Sequence, residues 1–302
     1  MTTTSVDDRP VPAEEVIGSP SAAGHFKDRA FKAGLIGLTS VGLIVLAVLL
    51  VTTFLDGAPS LSLEFLTSFP SAFPEKAGIE SAITGTLWLM VIVGAVIIPL
   101  GVAPALYLEE YADVNRWWNR LIEVNIQNLA AVPSIVYGIL GLAYFVRGPL
   151  SLGRTVLAGG LTLSLVVLPV VIITTREAIR AVPPSIKEGA LALGATRWQA
   201  IWRQILPASV PGIATGVILS VSRAIGETAP LILVGAATFV AFNPTGLDSP
   251  FPALPLQLFS WTSQPDEDFK ALAAAAIIVL LVILAVLNGV AIWLRNRYQR
   301  KW

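Results

Sequence analysis

The sequence predicts an all-α polytopic membrane protein with six transmembrane helices and both termini in the cytoplasm, and three observations carry that prediction. Apolar residues make up 55% of the 302 residues and charged ones only 13%, where soluble domains average roughly 45–50% and about 25%. Six segments supply the run of about 20 apolar residues that a bilayer core of about 30 Å requires of each helix. Lysines and arginines gather in alternate connections, the distribution that sets orientation in a bilayer, whereas the formal net charge of zero says nothing about it. The mean hydropathy of +0.74 agrees.

Taken in order, residues 1–24 are polar, Pro-containing and acidic, lack the basic, apolar, cleaved order of a secretory signal, and are expected to form a disordered cytoplasmic tail. The membrane domain is expected over 25–302. Its first span, 33–55 (AGLIGLTSVGLIVLAVLLVTTFL), follows Lys27, Arg29 and Lys32. The second and third spans, 82–108 and 126–146, are joined by a net acidic connection, and the fourth, 155–179, follows a short connection carrying Arg147 and Arg154. Arg176, Arg180, Lys187, Arg197 and Arg203 surround the next connection, the fifth span covers 209–240, and the sixth, 271–294 (ALAAAAIIVLLVILAVLNGVAIWL), is followed by Arg295, Arg297, Arg300 and Lys301. With six spans the three basic regions fall on one side, the cytoplasm by the positive-inside rule. The connections 56–81 and 241–270 then lie outside. They mix Pro and Gly with Leu, Phe and Trp, which suits either loops folded onto their own bundle or a surface that meets another protein.

Composition excludes several chemistries. Without cysteine there is no disulfide framework, thiol catalysis or thiolate metal site. The lone histidine, His25, sits in a polar stretch without the paired-His spacing of a catalytic metal site. No GxxxxGK[ST] run is present, so the chain binds no ATP through a P-loop of its own. A transporter or membrane interaction subunit remains, and not an enzyme.

The run PPSIKEGALALGATRWQAIWRQILP, Pro183 to Pro207, predicts two short helices outside the bilayer. Ser185 with Glu188 and Thr196 with Gln199 have capping-box spacing, and Gly194 stands at the turn between them. On the second helix Trp198, Ile201, Trp202 and Ile205 share a face at helical spacing. Two readings stand for that stripe: packing onto the membrane domain, or docking a cytoplasmic protein. A DNA-binding helix-turn-helix is set aside, because it would be tethered at the bilayer with few bases to neutralise phosphates.

Within the fifth span Arg223 and Glu227 stand four residues apart, on one helical face and within salt-bridge reach. If the helix begins near Ser209, Arg223 lies roughly 21 Å along it at about 1.5 Å per residue. A charged side chain at helix centre costs ~2.5–3.5 kcal/mol on insertion scales, so both should face protein or a water-filled cavity. Pro230 lacks the amide that would bond the carbonyl of Gly226, which predicts a kink there, and Gly212 with Gly216 allow a neighbouring helix to approach closely. Arg176, Glu177 and Arg180 read as loop solvation and topology determinants.

The segment EGALALG, Glu188 to Gly194, with Ile205, Leu206 and Pro207 beyond it, resembles the EAA loop by which bacterial ABC importer permeases dock in a groove of their ATPase. Gly189 replaces the usual first alanine and Gln204 stands where an apolar residue is common. The resemblance implies docking roles for Glu188, Gly189, Ala190, Gly194, Arg197, Trp198, Ile205 and Pro207. NIQNLAAVPSIVYGILGLAYFV, SRAIGETAPLILVGA and ALPLQLFSW extend it over most of the chain to the PstA-type permeases of the high-affinity phosphate importer, with ETAP after RAIGE favouring PstA over its paralogue PstC. It implies a type I ABC importer permease in the bacterial inner membrane. The implied partners are a PstC-like second permease subunit, a homodimeric cytoplasmic ATPase that holds ATP and Mg, and an extracytoplasmic phosphate-binding protein, with no cofactor on this chain. Arg223 would then offer planar bidentate donors to phosphate, with Glu227 balancing it in a transit site of low affinity. The alternative for the pair is a structural lock. For the whole chain the alternatives are a permease for another oxyanion such as sulfate or molybdate, an ion-coupled secondary transporter, and a subunit that signals phosphate status without transport.

Overall fold

A computed structural model describes residues 22–113, 115–236 and 239–298. Residues 1–21 of the expected tail, together with Arg300 and Lys301, lie outside the described residues. The chain divides into two compact units, Met1–Thr52 and Thr53–Trp302.

The first unit holds most of helix α1, Ala22–Gly57. Leu38, Leu43, Leu46 and Val48 are all exposed. They point in different directions around the helix, so its surface is apolar on every side, as suits a lipid solvent.

The second unit is all-helical among its described residues. A short α2, Leu63–Thr67, leads to α3, Glu80–Glu110, and α4, Trp117–Ala130. Next come α5, Ser134–Gly141, extended by a π turn Leu142–Val146, and α6, Val156–Arg180. After α7, Pro184–Ala192, helix α8, Arg197–Ala200, runs through a second π turn, Ile201–Ile205, into α9, Leu206–Gly226. The chain finishes with α10, Ala229–Val234, α11, Leu254–Thr262, and α12, Glu267–Tyr298. Among the described residues of the whole chain, α1 included, five helices are long and apolar enough to cross a membrane, or six if the bent pair α4 and α5 is one span.

Helix α6 is the hub, packed on α3, α4, α5, α9 and α10. Leu89, Val93 and Ile97 of α3 and Leu163, Val167 and Val171 of α6 form the centre of the core with Phe251. The α6–α9 contact is close because Gly212 and Gly216 lie in it. A Cβ at Gly212 would meet Ala178 Cβ at 2.6 Å and one at Gly216 would meet Thr174 Oγ1 at 2.2 Å, which is the close approach that the GxxxG spacing predicts.

The segment 241–262 folds inward. Phe251 and Trp261 are buried, Thr86 Oγ1 accepts from Leu254 N at 2.9 Å, Trp88 Nε1 donates to Pro244 O at 3.1 Å, and Asn243 Nδ2 donates to Glu80 Oε1 at 2.6 Å. For this loop, packing on its own bundle is what the structure shows.

Two expected spans are broken. The segment 126–146 is not one helix, because α4 and α5 meet at 102°. Pro133 lacks an amide and disfavours helical backbone at Val132, so the helix stops before it and restarts after it. The segment 209–240 is also divided: α9 ends at Gly226, Glu227 is extended (φ −76, ψ 114), and Pro230 sits in the first turn of α10. Pro230 therefore opens a helix where a kink was expected, since a first-turn amide has no intrahelical partner to lose. The second of the two short helices expected outside the bilayer is likewise continuous with α9.

Candidate functional site

Two groups of residues carry chemistry, one at the α9–α10 break and one at the 183–207 element. At the break, Ser222 Oγ donates to Asn288 Oδ1 at 2.7 Å and ties the last turn of α9 to α12. One residue on, Arg223 Nε donates to Glu227 Oε1 at 3.2 Å. The side chains are 47% and 16% exposed respectively, so the carboxylate is sheltered and the guanidinium covers it from outside. Arg223 makes no other ion pair among the described residues, which leaves its terminal nitrogens open to a second acceptor. The structure thus brings the sequence-predicted pair together, at a helix end. Gly226 is exposed, with Thr228 Oγ1 at 3.5 Å from its carbonyl. Pro230 is buried, and a Cβ at Gly138 of α5 would meet Pro230 Cα at 2.7 Å. The segments that follow the two breaks, α5 and α10, therefore pack on each other.

The 183–207 element is built from local signals. Pro183 is the N-cap of α7 and Pro184 its first residue. Ser185 consequently lies inside the helix and cannot cap it, so the expected Ser185–Glu188 capping box does not form. At the other end Gly194 takes φ +84, with Gly194 N bonded to Leu191 O at 2.9 Å and Ala195 N to Ala190 O at 3.1 Å. This is the paired closure of a helix end that favours glycine. The Thr196–Gln199 box is complete: Thr196 Oγ1 accepts from Gln199 N at 3.3 Å and Gln199 Oε1 from Thr196 N at 2.9 Å.

The apolar stripe on the second helix divides between the two readings. Ile201 and Ile205 are buried with Leu108, Ile126, Ile172 and Ile179. Trp198 and Trp202 are 59% and 47% exposed, with ring centroids 5.1 Å apart, and Leu193 is 91% exposed. Glu188 and Gly189 are exposed and Ala190 and Pro207 half-buried. Arg197 is exposed and lies across the surface, donating to Glu110 O and sitting 5.1 Å over the Tyr111 ring.

A charge cluster beneath this element is the feature that sequence reasoning missed. Arg176 is buried, and its Nε and Nη2 donate to Glu109 Oε1 at 2.6 Å and Glu123 Oε1 at 2.8 Å. Arg180 Nε reaches Glu109 Oε2 at 2.8 Å and Arg180 Nη1 reaches Glu177 at 3.3 Å. Lys187 Nζ donates to Glu110 Oε2 at 2.6 Å. Arg176 is therefore no loop-solvating residue; it joins α3, α4 and α6. The available signal was the acidic 109–125 connection, placed by topology on the same side as the basic one.

Chemically, the site offers a sheltered carboxylate with a half-exposed guanidinium, and a stiffened element displaying tryptophan and leucine on its surface. The family of binding-protein-dependent transport system inner membrane components matches residues 97–300. The probable ABC transporter permease protein YqgI of Bacillus subtilis is 33% identical over 89% of this chain and 95% of its own length. The phosphate transport system permease protein PstA of Haemophilus influenzae is 30% identical over 86% of this chain and 90% of its own. Among solved structures, a bacterial ABC transporter involved in the import of the acidic polysaccharide alginate aligns with a TM-score of 0.62 at 19% identity, over 91% of this chain and 97% of that one.

Proposed function

Since the chain belongs to the binding-protein-dependent transport system inner membrane component family, we propose that it is the permease subunit of an ATP-driven phosphate importer and forms half of its translocation path. The relatives named as phosphate permeases support the substrate. The observation that carries the mechanism is the split stripe of the 183–207 element: Ile201 and Ile205 anchor it while Trp198, Trp202 and Leu193 face outward. Large apolar groups kept at the surface of a capped, stapled element suit a protein interface. The partner is a homodimeric cytoplasmic ATPase, which holds the ATP and Mg and receives Glu188, Gly189, Ala190, Gly194, Trp198 and Pro207 on or beside this surface. Ile205 acts from below by fixing the element to the bundle, and exposed Arg197 ties it to the end of α3 from the surface. Both termini lie in the cytoplasm, a PstC-like subunit completes the path, and an extracytoplasmic binding protein delivers phosphate.

Arg223 meets phosphate in transit with its open terminal nitrogens, while Glu227 keeps the site near neutral. Without that carboxylate an unpaired guanidinium would hold the anion; with it the ion is passed on, as an importer requires. Gly226 and Pro230 supply the helix break at which the pair sits. The test is ATP-driven uptake of labelled phosphate into vesicles holding the assembled complex, with sulfate and molybdate as competitors. Uptake that survives Arg223→Ala unchanged would remove the transit role, and retention of the ATPase after deletion of 185–205 would remove the docking role.

A further inference from the structure

The docking element is covalently continuous with α6 through 181–183 and with α9 through the π turn, so those helices follow it without further help. Helix α3 has no such link. Beside the undirected packing of its Leu108 in the cluster of Ile201 and Ile205, its described polar attachments to the element are at its last residue and the one after it. Lys187 of α7 donates to the Glu110 carboxylate at 2.6 Å. Arg197 of α8 donates to the Glu110 carbonyl and covers Tyr111. One helix end is thus held by a cation from each half of the element.

Physical chemistry makes this grip specific. The last carbonyls of a helix lack intrahelical partners and carry its negative dipole end. A buried carboxylate there is unfavourable unless cations cover it, and Glu110 is 7% exposed. The adjacent acid has a separate task, since Glu109 binds Arg176 and Arg180 of α6. At its other end α3 holds the outer segment through Glu80 to Asn243 and Thr86 to Leu254. The helix therefore spans from the docking element to the outer segment.

We infer that Glu110 is the positioning residue that makes α3 follow the docking element, so that movement of the ATPase is delivered through α3 to the outer segment 241–254. The inference rests on the docking reading, and the experiment separates the two. The assembled complex, carrying Lys187→Met or Glu110→Gln, is reconstituted in vesicles, and phosphate moved per ATP hydrolysed is measured with ATPase co-purification. Co-purification and hydrolysis are expected to persist while phosphate moved per ATP falls about tenfold, and Lys187→Arg, which keeps the cation, is expected to restore it. An unchanged ratio in both variants overturns the inference. So does a lowered ratio that Lys187→Arg fails to restore, which would assign the loss to packing. If Glu110→Gln does not assemble, Lys187→Met decides alone, since it leaves Glu110 and its contact with Arg197 in place. An ATPase that stays bound after deletion of 185–205 refutes docking, and the coupling ratio plays no part in that result.

Discussion

Replacing Arg176 by methionine isolates the charge cluster, and the structure sets the size of the effect. Removing one partner of a buried ion pair costs about 3–5 kcal/mol, because the remaining charge is left uncompensated away from water. Of the two carboxylates that Arg176 serves, Glu123 is 35% exposed and regains hydration, whereas Glu109 is 12% exposed and does not. Arg180 keeps its contact with Glu109 at 2.8 Å, which places the loss near the lower bound, about 3 kcal/mol or about a hundredfold in the folded-to-unfolded ratio. The reference is Lys270→Met, which breaks a pair with Glu267 whose side chains are 47% and 82% exposed and should cost less than about 0.5 kcal/mol. Tryptophan fluorescence of the purified chain in micelles, followed through a denaturant titration, reads both. Exchanging Arg176→Met together with Glu109→Leu and Glu123→Leu should recover most of the stability, since apolar replacement of the buried charges is close to neutral and Arg180, which then loses Glu109, is 48% exposed and keeps Glu177. A loss for Arg176→Met within 1 kcal/mol of the roughly zero reference would refute the reasoning.

Two further outcomes follow from glycines. Gly189 lies inside α7 with nothing within 4 Å of an added Cβ; Gly189→Ala should stabilise the element by up to about 1 kcal/mol, read as slower amide exchange over 184–192. An added Cβ at Gly85 would meet the Pro252 carbonyl oxygen at 2.1 Å. Gly85→Ala should therefore cost about 1–3 kcal/mol and speed protease cleavage in 241–253.

The long apolar helices were legible because hydropathy is a property of a window, and α3, α6 and α12 lie where the apolar windows do. The same averaging hid the break at Pro133, a single residue within an apolar run; at Pro230 the missing amide predicted a kink, and the structure divides the helix there outright. Capping is local, so Thr196 with Gln199 could be read from spacing alone. Ser185 misled because a helix start one residue earlier turns a cap into an interior residue. The Arg223–Glu227 contact was legible for the same local reason, whereas its shelter was not, since burial depends on elements far along the chain. The pairing within the cluster was not legible, for Arg176 meets Glu109 across 67 residues; the acidic 109–125 connection on the side of the basic one marked only that the two charge sets share a side.

The π turn Ile201–Ile205 has a bearing on how such chains diverge. It holds one more residue per turn than an α-helix would, and each residue advances a helix by about 100°. The compass bearing of the tryptophan pair relative to Arg223 is thus set by a single supernumerary residue in an otherwise continuous rod. Losing that residue would swing Trp198 and Trp202 around the axis while leaving their distance from the charged pair almost unchanged. Point substitutions along the rod are graded changes, but a one-residue deletion there re-aims the whole surface at once.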